Sequence, residues 1–259
     1  MFSLQDRVAL VTGAGRGIGR AIALALAQAG AKVALTARTA SEVNSATQAV
    51  QKNGTQAVAI VADLTTKDAP GNVLAQVMAQ LGPLDILINN AGIGSSADPK
   101  PVTDFNDDFW EMTLYLNLTV QYKLSKAVLP GMRKKRFGRI INIASINSKM
   151  PSLHGAAYAA SKHGLLGLTR TLALEVAKEG ITVNAICPGP VHTVMNDKRL
   201  EYDAKRRGIT FEEVEESMTP IGGRLEPEDV APLAVYLASN EARMATGQAY
   251  NICGGVLLY

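Results

Sequence analysis

Two side chains with a spacing suited to proton transfer stand at the start of a predicted helix. Tyr158 and Lys162 are four residues apart, so a helix places both on one face. A free tyrosine has a pKa of about 10 and is a poor acid or base at neutral pH. A nearby cation favours the phenolate and lowers that pKa. The pair predicts a general acid/base, although the same spacing also arises by chance on many helices.

A glycine-rich turn follows the first predicted strand and leads directly into a helix. Its glycines allow a tight turn and close approach of the backbone to a pyrophosphate, while the amides of the helix N-terminus face the anion. The alternative is an ordinary tight turn between a strand and a helix. The strand before it and the helix after it favour dinucleotide binding. The cofactor residues predicted here are Gly13, Gly15, Arg16, Gly17, Ile18 and Gly19.

The end of the second strand bears on which dinucleotide is bound. Sheets that bind NAD commonly carry an acidic residue there for the ribose hydroxyls. This chain reads Leu35-Thr36-Ala37-Arg38-Thr39 and has no acid at that place. Arg38 and Arg16 could together bind a 2′-phosphate through charge-assisted hydrogen bonds. We therefore expect NADP(H) to be preferred and NAD(H) to be possible; the alternative is that both arginines are solvated surface charges.

Short apolar runs alternate with helical segments along the chain, and these elements must position the chemical groups. The runs are continuous rather than alternating, which is typical of parallel strands buried on both faces. The expected fold is a single-domain α/β structure over residues 1–259, a Rossmann-type doubly wound parallel sheet of about seven strands flanked by helices. The predicted strands are 8–11, 32–36, 57–61, 84–88, 139–143, 182–186 and 248–252. The predicted helices are 17–29, 41–53, 65–81, 107–134, 156–178, 193–218 and 227–237.

With these elements in place, the chain resembles the short-chain dehydrogenase/reductase family, and among its members the 3-oxoacyl reductases and polyol dehydrogenases. Five motifs carry the resemblance, and in their order and spacing they cover about residues 7 to 255. They are Thr12 to Gly19, Asn89-Asn90-Ala91-Gly92, Ser145, Tyr158 to Lys162, and Pro188-Gly189.

The resemblance implies a role for each of four catalytic residues. Tyr158 exchanges a proton with the substrate oxygen, and Lys162 lowers the pKa of Tyr158 and holds the nicotinamide ribose. Ser145 hydrogen-bonds the substrate oxygen, and Asn117 holds a water in a proton relay. For Asn117 the alternative is a polar group satisfied locally within its helix, and Asn89 is expected to be structural.

The resemblance also extends the cofactor site beyond the glycine-rich turn. It implies contacts to the adenine, the ribose and the nicotinamide ring, with Thr193 bonding the carboxamide. The further residues are Asp63, Leu64, Asn90, Ala91, Gly92, Pro188, Gly189, Val191 and Thr193.

The substrate pocket is predicted to be closed by a loop over about residues 192–223. Its apolar side chains could form a mobile lid, although an amphipathic helix with a solvated face explains the same pattern. Met195 is expected to line the pocket beside Ser145 and Tyr158. His154 either lines it too or is an exposed turn residue. The histidines lack the spacing and companion ligands of a zinc site, so no metal is expected.

Composition narrows the class of protein. Of the 259 residues, 47% are apolar, and the formal net charge is +3. That charge does not by itself indicate a nucleic-acid partner, and the chain contains no apolar run long enough for a membrane span. The two cysteines predict reduced thiols rather than a disulfide scaffold. We expect a cytoplasmic enzyme, a homotetramer as is usual in the family, acting on a small carbonyl or alcohol substrate.

Several alternatives remain open. One is an NAD(H)-dependent sugar or polyol dehydrogenase of the same family. Two others come from different classes, namely a non-catalytic dinucleotide-binding sensor and a methyltransferase on a related sheet. Arg136 resembles an arginine that relatives use for acyl-carrier substrates, but Glu179 stands where those enzymes have a second basic residue. Cys253 stands where many relatives carry Asp.

Overall fold

A computed structural model describes residues 2–259 and shows strands and helices alternating along the chain. The strands are β1 (Val8–Thr12), β2 (Lys32–Ala37), β3 (Ala57–Val61), β4 (Ile86–Asn89), β5 (Gly138–Ile143), β6 (Ile181–Pro188) and β7 (Ala249–Ile252). The helices are α1 (Gly17–Gln28), α2 (Ala40–Gln51), α3 (Ala69–Leu81), α4 (Asp107–Leu114), α5 (Val120–Lys135), α6 (Ala156–Val176), α7 (Val194–Arg207), α8 (Phe211–Glu216) and α9 (Pro227–Ala238).

All seven strands form one parallel sheet in the order β3-β2-β1-β4-β5-β6-β7. This confirms the predicted doubly wound α/β fold. The direction of winding reverses between β1 and β4, which pair through Ala9 and Ile86. In such sheets the crevice at the reversal, beyond the carboxyl ends of the strands, is where ligands bind.

Both faces of the sheet are covered, which explains why the strands are apolar at every position. Alternate side chains of a strand point to opposite faces. Ala9 and Val11 pack in one core, together with residues of α1, α2 and α9. Val8 and Leu10 pack in a second core, with residues of α3, α5 and α6.

Three predicted helices differ from the observed ones. The single helix expected over 107–134 is divided into α4 and α5 by a π-helical turn, Tyr115–Thr119. Helix α3 begins at Ala69 rather than at residue 65, because the Asp63 carboxylate accepts the N–H of Thr65 and holds a turn there. The segment 193–218 forms two helices, with Gly208 ending α7 at φ +69°.

Among residues 2–259, no helix combines the length and apolar character needed to cross a membrane.

Candidate active site

The glycine-rich turn between β1 and α1 packs so closely against its protein neighbours that side chains would not fit at two of its positions. Gly13 has φ +63°, and a Cβ there would lie 2.9 Å from Ala91 Cα. A Cβ at Gly19 would overlap the carbonyl oxygen of Gly13. The N-cap residue of α1, Arg16, makes no capping hydrogen bond through its side chain within the described residues. Amides left open at a helix N-terminus fit a pyrophosphate, so the turn fits a dinucleotide.

Thr12 and Asn90 join this turn to the end of β4. The Thr12 hydroxyl accepts the N–H groups of Asn90 and Ala91 at 2.9 and 3.0 Å. The Asn90 amide nitrogen donates to the carbonyl oxygens of Thr12 and Gly13. Asn90 therefore supports the loop geometry, and its neighbour Gly92 also borders the cleft.

The adenosine end of the cleft contains an acidic residue that was not predicted from the sequence. Glu42, in the first turn of α2, accepts a hydrogen bond from Arg16 Nη1 at 3.3 Å. Arg16, Arg38 and Glu42 all line this end of the cleft. Arg16 is thus partly neutralised, and a carboxylate stands near the place expected for a 2′-phosphate. A position five residues beyond the end of β2 carries no signal that could have identified Glu42 beforehand.

Asp63 lies at the same end of the cleft, as the resemblance implies. Its carboxylate accepts hydrogen bonds from the backbone N–H and the hydroxyl of Thr65, at 2.9 and 2.7 Å. Those bonds, together with the charge of Arg38, hold its pKa below the usual value. The next residue, Leu64, is buried and packs in the second core while it lines the cleft wall.

Ser145, Tyr158 and Lys162 meet at the other end of the cleft, beyond β5 and β6. Lys162 is buried, and its Nζ donates to the Ile143 carbonyl oxygen at 2.8 Å. The Nζ lies 5.7 Å from the centre of the Tyr158 ring. Three of the four side chains that are predicted to be catalytic therefore line one pocket.

The pKa of the Tyr158 phenol is raised in this structure, whereas the neighbouring Lys162 was expected to lower it. Burial of the phenol raises its pKa, and the hydrogen bond from Ser145 opposes that only in part. Burial also lowers the pKa of Lys162, to about 8. Both shifts have one cause, since a charged group loses its hydration in this pocket.

Asn117 lies in the π-helical turn and is fully buried. Its side chain accepts the N–H of Ile93 at 2.8 Å and donates to the Ile93 carbonyl at 2.9 Å. It also donates to the Ser161 hydroxyl. These bonds join the helix to the loop after β4 and to α6, so the side chain is paired with other elements rather than within its own helix. The relay role stays a prediction.

Asn89 has the structural role expected of it, and it links neighbouring elements through hydrogen bonds to other side chains. Its amide donates to Asn142 on the neighbouring strand β5 at 2.9 Å and to Ser125 on α5 at 3.2 Å.

The substrate side of the cleft is a pocket of about 400 Å³ beside Tyr158. Met195 lies where this pocket and the cofactor cleft meet, and the Ser96 hydroxyl donates to its carbonyl oxygen at 2.7 Å. Thr193 caps α7 by accepting the N–H of Asn196. His154 is outside the pocket wall and has φ +57°. Its Nδ1 bonds the Tyr202 hydroxyl at 2.6 Å.

The residues that close the rest of this wall come from the loop after β6. Pro188, Gly189 and Val191, which the resemblance assigns to the cofactor, line this pocket, and their contact with a cofactor stays a prediction. A Cβ at Gly189 would lie 2.8 Å from the Cα of Cys253, the residue that follows β7, so the chain after β7 packs against this loop.

Other residues discussed from the sequence are not part of the pocket lining. Arg133 Nε pairs with Glu179 at 2.7 Å, and Arg136 donates to the Lys178 carbonyl. Cys187 and Cys253 are both buried free thiols. Within the described ranges, no group of three or more His, Cys, Asp or Glu residues is arranged to hold a metal ion.

Comparison with known proteins identifies the family. The sequence profile described as short chain dehydrogenase matches residues 7–204. The chain belongs to the short-chain dehydrogenase/reductase family. It is an oxidoreductase of the kind that acts on CH–OH and keto groups and binds a nicotinamide dinucleotide.

Relatives are similar over nearly the whole chain. The D-β-hydroxybutyrate dehydrogenase of Rhizobium meliloti is 39% identical, over 97% of this chain and 98% of its own. The 3-oxoacyl-[acyl-carrier-protein] reductase of Pseudomonas aeruginosa is also 39% identical, over 99% of both.

Two solved structures resemble this fold closely. A variant of actinorhodin polyketide ketoreductase with NADPH has a TM-score of 0.93 and 36% identity, covering 99% of this chain and 100% of its own. A protein from Beutenbergia cavernae, provisionally assigned as an NAD(P)-dependent gluconate 5-dehydrogenase and solved with NADP, has a TM-score of 0.88 and 40% identity. Coverage is 98% of this chain and 97% of that one.

Proposed function

We propose that this enzyme transfers a hydride between NADP(H) and a small secondary alcohol or ketone, with Tyr158 as the general acid/base. The observation that carries the proposal is the convergence of Ser145, Tyr158 and Lys162 on one pocket at the end of the dinucleotide cleft. A sensor or a methyltransferase has no use for a proton-transfer group there.

The chain supplies orientation and a proton, and the reduced cofactor supplies the hydride. During reduction, the Tyr158 hydroxyl donates its proton to the substrate carbonyl oxygen, while the Ser145 hydroxyl donates a hydrogen bond to the same oxygen. Lys162 holds the ribose and its charge stabilises the phenolate that remains. During oxidation, the same groups act in reverse.

The cofactor preference rests on Arg38 and Arg16. Guanidinium groups bind a phosphate monoester through charge-assisted hydrogen bonds. The salt bridge between Arg16 and Glu42 argues for a weaker preference than the two arginines alone would give. We therefore propose that NADP(H) is preferred and that NAD(H) is also accepted.

Two substrate classes fit the pocket, and each has support among the relatives. Reduction of a 3-oxoacyl group is the activity named for the Pseudomonas relative. Dehydrogenation of a hydroxy acid is named for the Rhizobium relative, and the Beutenbergia structure carries a sugar-acid assignment. The pairing of Arg133 with Glu179 favours the second class, because it neutralises part of the basic surface that a carrier protein would need.

We further propose that residues 1–259 act as one catalytic domain and that 192–223 form its substrate lid. The contacts of α7 with the pocket wall support this division.

A substrate panel tests the proposed function. Oxidation of NADPH and of NADH is followed with oxo acids, neutral ketones and 3-oxoacyl thioesters. The expected result is turnover of at least one ketone, faster with NADPH than with NADH at equal concentration. An enzyme that binds NADPH but oxidises it with none of these substrates would contradict the proposal and favour a sensor.

A further inference from the structure

Arg199 stands on the wall of the substrate pocket at the end formed by the lid helix α7. The side chain is only 17% exposed. Arginine is almost never fully buried unless it is paired. Arg199 therefore places a positive charge on the pocket wall.

Three of the five N–H groups of Arg199 are used within the protein. The Nε donates to Asp203 Oδ2 at 2.8 Å. The Nη2 donates to Asp203 Oδ1 and to the Leu153 carbonyl oxygen, at 3.2 and 3.1 Å. A guanidinium has five donors, so the two that remain are both on Nη1.

Nη1 is shut off from solvent and has no hydrogen-bond partner anywhere in residues 2–259. Leaving a buried polar group unpaired is unfavourable, and more so when the group is charged. Because a water-sized molecule cannot reach Nη1 in this arrangement, an acceptor in the pocket pairs with it only when α7 shifts as part of the lid, and the pairing would then remove that cost.

The charges around Arg199 favour an anion as that acceptor. Asp203 also accepts hydrogen bonds from Arg206 Nε and Nη2, at 3.3 and 3.2 Å. One carboxylate is therefore shared between two guanidinium groups, which leaves one positive charge in excess. The pocket wall itself carries two cationic residues, Arg199 and Lys162, and one acidic residue, Asp203, while the nearby Asn147 and Asn196 are neutral.

We propose that Arg199 binds the carboxylate of the substrate through Nη1 and so selects hydroxy acids and oxo acids over neutral alcohols and ketones. This rests on the proposed function, since it assigns a binding residue to the end of the substrate that is remote from the oxygen with which Tyr158 exchanges a proton. Hydrogen bonds to charged groups contribute about 1.5–3 kcal/mol, which corresponds to an affinity difference of about 10-fold or more.

The same contacts also allow a purely structural role. Arg199 joins α7 to Leu153, five residues before Tyr158, so its loss could loosen the lid for every ligand. A test must therefore compare a charged ligand with a neutral one of nearly the same shape.

Binding to the complex of the enzyme with NADPH provides that comparison. A hydroxy acid is already reduced, so it does not react with NADPH. The probes are 3-hydroxybutanoate and D-gluconate, each measured beside its neutral primary amide by the change in nicotinamide fluorescence. The variants are Arg199→Gln, Arg199→Lys and, as a matched control, Arg206→Gln, which also contacts Asp203 but lies outside the pocket wall.

For at least one pair, the acid is expected to bind the wild type about 10-fold more tightly than its amide. In Arg199→Gln that ratio should fall close to one while the amide affinity is kept. Arg199→Lys should retain part of the ratio, and Arg206→Gln should retain nearly all of it. Equal affinity for acid and amide in the wild type would overturn the proposal. So would an equal loss of both in Arg199→Gln, which would indicate a structural role only.

These outcomes are independent of the catalytic role of Tyr158, because no turnover is involved. Undiminished ketone reduction by Tyr158→Phe would refute the proposed mechanism and leave the ratio of acid to amide affinity unchanged.

Discussion

At the scale of single residues, the surroundings of Tyr158 decide when it holds its proton. Burial disfavours the phenolate, and Lys162 directs its Nζ to the Ile143 carbonyl oxygen. The spacing of the pair was predictable from the sequence, but the direction of the pKa shift was not. The sequence gives the distance along a helix, whereas the pKa depends on how much water the pocket excludes.

In the protein without cofactor, Tyr158 is expected to ionise at a higher pH than a free tyrosine, because burial raises its pKa. NADP⁺ should move its ionisation to lower pH, because the positive nicotinamide ring favours the phenolate. The measurement is an ultraviolet difference titration at 295 nm of wild type against Tyr158→Phe, with and without NADP⁺. A phenolate that forms near neutral pH in the free protein would contradict the burial argument.

Glu42 is expected to limit the preference for NADPH. Replacing Glu42 with Gln removes a negative charge beside Arg16 and should increase NADPH affinity about threefold, as for other exposed charge pairs. Fluorescence titration measures it, and NADH, which lacks the 2′-phosphate, is the control. Arg38→Ala should have the opposite effect on NADPH. Equal affinities of the wild type for NADPH and NADH would contradict a phosphate site here.

At the scale of elements, the strands and most of the helices followed from the periodicity of apolar residues. The division between α4 and α5 did not, because the segment around Asn117 has an unbroken helical pattern. Within the π-helical turn, Asn117 forms hydrogen bonds with Ile93, which is distant in sequence. Hydrogen bonds between residues distant in sequence leave no pattern in the segment itself, so this turn could not be predicted.

The close packing at the start of α1 predicts a specific cost for a methyl group. Gly19→Ala should destabilise the protein and weaken NADPH binding at least tenfold, because the new Cβ would overlap Gly13 and Asn90. Thermal unfolding and fluorescence titration measure the two effects.

Gly167 in α6 is the matched control for this substitution. A Cβ at Gly167 would have no atom within 4 Å. Gly167→Ala should therefore increase stability by up to about 1 kcal/mol, since glycine is a poor helix former. Similar effects of the two substitutions would show that the turn is not closely packed.

At the scale of the whole molecule, the sheet brings chemically active residues from distant parts of the chain to one edge. The pattern of elements predicted this arrangement, since the carboxyl ends of parallel strands share one side of the sheet. The family resemblance indicated which of these motifs belong to one active site. Arg199 was not singled out as a pocket residue, because the lid region shows only a mixture of charged and apolar residues in sequence.

The surface retains apolar side chains that a homotetramer would cover. Leu174 on α6 is 81% exposed, and Leu258 and Tyr259 at the chain end are also exposed. Light scattering at micromolar concentration is expected to give the mass of four chains. Leu174→Glu should lower that mass, whereas Met78→Glu on α3, where the native residue is 59% exposed, should not. A monomeric mass for the wild type would refute the assembly.

The central claim is that Tyr158 transfers the proton, and one comparison tests it most directly. NADPH oxidation is measured with the best ketone of the panel for wild type and Tyr158→Phe, after fluorescence titration has shown that both bind NADPH equally. General acid catalysis contributes about 10²–10⁴-fold, so we expect kcat to fall by at least 100-fold in the variant with little change in the Kd for NADPH. A kcat within a few-fold of the wild-type value would contradict the account.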